Sequence, residues 1–228
     1  MTENTTPVRT RVLRIIIPFV IIPLIAAAGM TILDRKRHLI VSMCAALSAL
    51  LLFYSTAGKK AFTTRRMVII SIMTALCFIG RFIPFLKPVA ALTIITALYL
   101  GPESGFLTGS LAAFLSDFYF GQGPWTVFQM LAWGLIGMLA GIMAKPLKQN
   151  RILLLLYGLI AGISYSFIMD IWTVLAYSEG FSLELYLAAL TTAVPYTISY
   201  AVSNVLFLAL LADPFGEKLE RIKKKYGV

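Results

Sequence analysis

An all-α integral membrane protein is the fold class this sequence predicts, and three observations carry it. Hydrophobic residues make up 59% of the 228 and charged residues only 13%, more apolar surface than a water-soluble domain of that length can cover. The apolar residues gather into runs of roughly 17–25 residues, the length that crosses a bilayer as a helix. The basic residues behind the net charge of +10 sit in the breaks between those runs. That distribution follows the positive-inside rule and leaves no case for a nucleic-acid partner.

Taken in order, the spans fall near 12–33, 38–57, 67–85, 88–101, 103–121, 125–144, 152–177 and 185–211. The first follows the basic start MTENTTPVRTRVLR. It holds Pro18 and Pro23 before the charged cluster Asp34 to Arg37, and it is expected as a retained span rather than a removed signal peptide. The second ends in the basic linker AGKKAFTTRR. The fourth is short and proline-flanked, hence tilted or partly irregular. The other five carry nearly all the glycine, aromatic and intramembrane polar residues. Cys44 and Cys77 lie inside apolar runs and are expected as packing residues.

Eight spans put both termini on one side. With that side inside, 15 of the 20 basic residues are cytoplasmic and five are outside, which predicts cytoplasmic termini. Arg35, Lys36 and Arg37 are the local exception, and an interfacial first hairpin would keep them inside. The composition divides the chain into an N-terminal two-helix extension with its basic linker, residues 1–66, and a six-helix core with a basic cytoplasmic tail, residues 67–228.

Small residues recur every fourth position at Gly101, Gly105, Gly109 and Ala113, at Gly137 and Gly141, and at Gly158, Gly162 and Ser166. In lipid, such stripes let helix backbones approach closely. The polar residues inside the spans are the functional signal. Asp117 precedes the turn Gly121–Trp125, and Gln129 and Trp133 follow it. A carboxylate at that depth costs roughly 2.5–3.5 kcal/mol, so something should compensate it. Arg81, Asp117, Trp125, Gln129, Trp133, Tyr165, Asp170 and Tyr196 are the candidate substrate-binding set, most of them in the outer half of the membrane. Alternatives are an Arg81–Asp117 structural ion pair, interfacial aromatics, and helix–helix hydrogen bonds through Gln129 and Asp170.

No phosphate-binding glycine loop occurs, His38 is the only histidine, and no metal-ligand cluster or nucleophile–base pair appears. These absences point to a binding protein with no cofactor, no metal, no catalytic residue and no energy source of its own. Two other classes stay open at this level. One is an intramembrane lipid-modifying enzyme using Asp117 and Asp170; the other is a structural or assembly protein with a dry interior.

The stretch from Gly101 through SDFYFGQGPWTVFQMLAWGLIGMLAG, within a six-span core of about 67–212, resembles the substrate-binding S components of energy-coupling factor (ECF) transporters. The resemblance implies a vitamin-class solute, a transmembrane coupling subunit and two cytosolic ATPases as partners, and capture at the outer face followed by toppling of the subunit. Ser71 and Ala75 stand where such proteins carry an Ala-x-x-x-Ala docking motif, with serine at the first position and Ile79 next in register. The Gly-Pro-Trp segment is most similar to members assigned to cobalamin, and the aromatic content suits riboflavin nearly as well. The two N-terminal spans lie outside the usual six-helix core.

Overall fold

The computed structural model describes residues 64–178 and 181–227, so the two N-terminal spans lie outside the described residues. The described chain is helical: α1 Thr64–Gly80, α2 Val89–Leu100, α3 Pro102–Phe120, α4 Trp125–Ile142, α5 Ala144–Gln149, α6 Arg151–Tyr177 and α7 Leu183–Tyr226. Among the described residues, α4, α6 and α7 are long and apolar enough to cross a membrane by themselves. One end of the bundle holds the Gly121–Pro124 turn, and the opposite end holds the basic residues of α5 and the α7 tail.

The core forms around α2. Eleven of its twelve residues are buried, and it touches α1, α3, α4, α6 and α7. At 1.5 Å per residue it is about 18 Å long, too short to cross a bilayer unaided. That length is tolerable because neighbouring helices, rather than lipid, surround it. The expected span at 67–85 is helical only to Gly80, since a run of tight turns over Arg81, Phe82 and Ile83 and the prolines at 84 and 88 stop it.

Glycines set the approach of α3 to α4, as their spacing predicts. A Cβ on Gly137 would sit 2.6 Å from the Gly105 carbonyl, and one on Gly134 would meet Ser110 Oγ at 2.6 Å. The crossing is pinned by Ser110 Oγ donating to Met130 O at 3.0 Å. Gly162 lets α7 pass with the Ala201 Cα 2.6 Å from where its Cβ would be. Gly101 departs from its expected packing role. Its φ of 93° is the break between α2 and α3, a conformation that side-chain-bearing residues rarely adopt.

Two features exceed the sequence expectation. The short α5 replaces a plain loop, and the last helix runs to Tyr226 rather than ending near 211. The Asp213-Pro214-Phe215-Gly216 segment reads as a stop, yet Phe215, Leu219 and Ile222 continue the apolar face and pack on the core. Tyr99 anchors this tail: Lys223 donates to its carbonyl at 3.3 Å and Lys148 lies 4.8 Å from its ring centroid. Tertiary contact thus holds a helix past a proline that local propensity would treat as its end.

Candidate solute-binding site

Gly121, at φ 109°, ends α3 and allows the chain to reverse into α4. The reversal is tied to Asp117. Thr126 Oγ1 donates to Asp117 Oδ2 at 2.7 Å and accepts the Gly123 amide at 3.3 Å. Arg81, just beyond α1, places Nη1 2.6 Å from Asp117 Oδ1 and also donates to Ser116 Oγ. Asp117 is 1% exposed and the Arg81 side chain 9%, so the ion pair compensates the carboxylate that the sequence leaves in apolar surroundings.

The Arg81 guanidinium lies 4.7 Å from the Phe120 ring centroid and 5.3 Å from that of Trp133, a cation–π arrangement. Trp133 stacks on Tyr165 with centroids 5.1 Å apart and planes 7° from parallel, and Tyr200 meets Tyr165 edge-on at 4.8 Å. The ion pair on α3 and the aromatic wall on α4, α6 and α7 are therefore one continuous assembly.

Beside the wall opens a cleft of about 240 Å³, its mouth included, lined by Lys87, Ala90, Trp133, Tyr165, Tyr200 and Asn204, with Val89 and Gly162 completing it. The α1–α2 loop borders it and is fastened to α7, with Ser203 Oγ donating to Lys87 O at 2.9 Å and Ser199 Oγ to Phe85 O. Asn204 donates from its amide nitrogen to Gly158 O at 3.1 Å, which fixes the orientation of the side chain beside the cleft and leaves its carbonyl oxygen as an acceptor. Lys87 has no ion pair among the described residues. Burial pushes its ammonium below the ordinary lysine range, and the Arg81 charge adds to that shift.

Of the residues expected to bind substrate, the structure brings Arg81, Asp117, Trp133 and Tyr165 into one set. Gln129 lies one turn from Trp133 on α4, and Asp170 is 8% exposed on α6. Trp125 packs instead with Trp172, centroids 6.4 Å apart. Tyr196 is 67% exposed, one turn from the Tyr200 that lines the cleft. Lys87 was legible only as a loop charge. Tyr200 and Asn204 share one helix face with Tyr196, but no sequence signal chose among them. Ser71 and Ala75 are both exposed, on a face of α1 that also carries Val68, Ile72 and Ile79. No group of side chains able to hold a metal occurs among the described residues.

Residues 61–221 match the family described as ECF-type riboflavin transporter, S component. The UPF0397 protein VS_II0189 of Vibrio atlanticus (strain LGP32) is 30% identical over 173 residues, spanning 66% of this chain and 92% of the relative. No solved structure matches the chain. With its apolar helices, its buried polar centre and a family match over most of its length, the chain belongs to the S components of ECF-type transporters, the multi-pass membrane subunits that bind substrate for an ECF importer.

Proposed function

We propose that this subunit captures a flat, ring-bearing vitamin of the riboflavin class, at a cleft whose mouth faces the cell exterior, for import by an ECF complex of coupling subunit and ATPases. The observation that carries the reading is the Trp133–Tyr165 stack with Tyr200 edge-on beside it, bordering a cleft of about 240 Å³. A planar ring laid against such a wall gains apolar contact and π-stacking together. The description of the matching family supports riboflavin. The planar wall suits a compact fused ring better than the corrin macrocycle of cobalamin, which the Gly-Pro-Trp resemblance favours.

In this reading Lys87 donates to an acceptor atom at the ring edge and Asn204 Oδ1 accepts from a ring N–H. Arg81 and Asp117 position the wall: their ion pair holds the end of α3 against α1, and the guanidinium braces Trp133. Both termini lie in the cytoplasm, as the bias of basic residues argues. Calorimetry on the purified full-length chain, titrated separately with riboflavin and with cobalamin, tests the reading. Saturable 1:1 binding of riboflavin is expected. Binding of cobalamin without riboflavin overturns it.

A further inference from the structure

Among the described residues, Phe85 in the α1–α2 loop is the one side-chain-bearing position with a positive φ, 62°. Leu86 N donates to Pro84 O at 2.6 Å across it, which makes Phe85 the centre of a γ-turn of the rare, strained hand. The Phe85 ring does little to hold the turn, since it is 85% exposed. The holding contacts are on the backbone: Ser199 Oγ donates to Phe85 O, and Ser203 Oγ donates to Lys87 O at 2.9 Å. These serines lie one turn apart on α7, and each precedes a residue that lines the cleft, Tyr200 and Asn204. The same segment is fixed to α6, where Ala201 closes on Gly162 and Asn204 donates to Gly158 O. One stretch of α7, residues 199–204, therefore meets both the aromatic wall and the loop that carries Lys87.

Backbone in a sparsely populated conformation persists only where its surroundings over-determine it, and such residues cluster at ligand clamps. We propose that Ser199 and Ser203 are positioning residues for solute binding: they hold the strained turn at Phe85 and so keep the Lys87 side chain at the cleft. The proposal rests on the riboflavin-class reading and adds the groups that aim its cationic donor. Neither serine touches the solute. Without their hydroxyls the turn relaxes to the negative φ that phenylalanine prefers, and Lys87 moves away from the cleft. The charged or titratable groups that face Lys87 are Arg81 on its own loop, Tyr165 on α6 and Tyr200 on α7. The cleft-lining residues of α2 and α4, Val89, Ala90 and Trp133, carry no ionisable group. Release into water removes the burial that lowers the affinity of Lys87 for its proton, so a released Lys87 stays charged to higher pH.

Calorimetry with riboflavin on the full-length chain in detergent compares the parent with Ser199→Ala and Ser203→Ala, each alone and combined with Phe85→Gly or Phe85→Ala. Each serine variant is expected to bind about tenfold more weakly, the worth of one hydrogen bond from a charged group. The decline of binding with rising pH should also move to higher pH. Glycine adopts positive φ about as readily as negative, so Phe85→Gly should recover most of the lost affinity in either serine background. Phe85→Ala removes the same ring but keeps a Cβ, and it should recover none. Ser199→Thr keeps the hydroxyl and should match the parent. Should Ser203→Ala fail to fold, the Ser199 series decides the matter alone. Parent-like affinity and pH profile in the folded serine variants overturn the proposal and leave the riboflavin reading standing. Equal recovery by glycine and alanine, or recovery by neither, does the same. A parent that binds no riboflavin overturns the riboflavin reading, and this proposal with it.

Discussion

Trp133 links the ion pair to the aromatic wall, with the Arg81 guanidinium against its ring and Tyr165 stacked upon it. A buried aromatic contributes roughly 1.5–3 kcal/mol, so Trp133→Ala should weaken riboflavin binding by about tenfold or more, measured by calorimetry on the folded variant. Lys87 adds a pH signature. In the proposed binding mode its charged form donates to the ligand, and burial and the Arg81 charge lower its affinity for protons. Binding should therefore be full at neutral pH and decline as pH rises, beginning at values where an ordinary lysine is still protonated; Lys87→Arg should abolish the decline. The Arg81–Asp117 pair makes a third prediction. Asp117→Ala leaves a buried cation unpaired and should lower stability by about 3–5 kcal/mol, while replacing both residues with apolar ones of similar volume should cost clearly less. Thermal unfolding in detergent distinguishes the two outcomes.

At the scale of elements, the glycine stripes on α3 and α4 were legible because small residues at four-residue spacing have few other uses in lipid. The structure puts Gly105 against Gly137 as that spacing implies. Gly137→Leu should therefore force the helices apart and destabilise the bundle by roughly 1–3 kcal/mol or more, read as a lower unfolding temperature. The ends of elements were less legible. Pro214 and the adjacent charges suggest a helix stop, but whether a proline ends a helix depends on what the following turns can pack against. Here that is Tyr99, more than a hundred residues away in sequence. The site was visible to the same degree. Asp117 and Trp133 declare themselves by cost and by motif, whereas Lys87 reaches the cleft only because two serines of α7 fix the loop that carries it. No periodicity encodes such a loop placement.

On the scale of the whole molecule, membership of the S-component family implies ECF partners, and we propose that α1 carries the surface for them. Ser71 and Ala75 lie one turn apart on an exposed face of α1, in the part of that helix away from the Asp117 centre. Close helix contact in lipid depends on such small side chains. Ala75→Trp should abolish riboflavin uptake in cells containing the partner subunits while leaving the affinity of the purified chain within a few-fold of the parent. Loss of both together would place Ala75 in the packing of the subunit, and retention of both would place the interface elsewhere. The central claim, that this chain by itself is the solute-recognition element, meets its most direct test in one measurement. The full-length protein is purified from riboflavin-replete cells lacking the partner subunits, and the small molecules released on denaturation are identified by mass spectrometry. The account predicts riboflavin in near-stoichiometric amount, markedly reduced in Trp133→Ala. An empty protein under these conditions, or a bound molecule without a planar ring system, would contradict it.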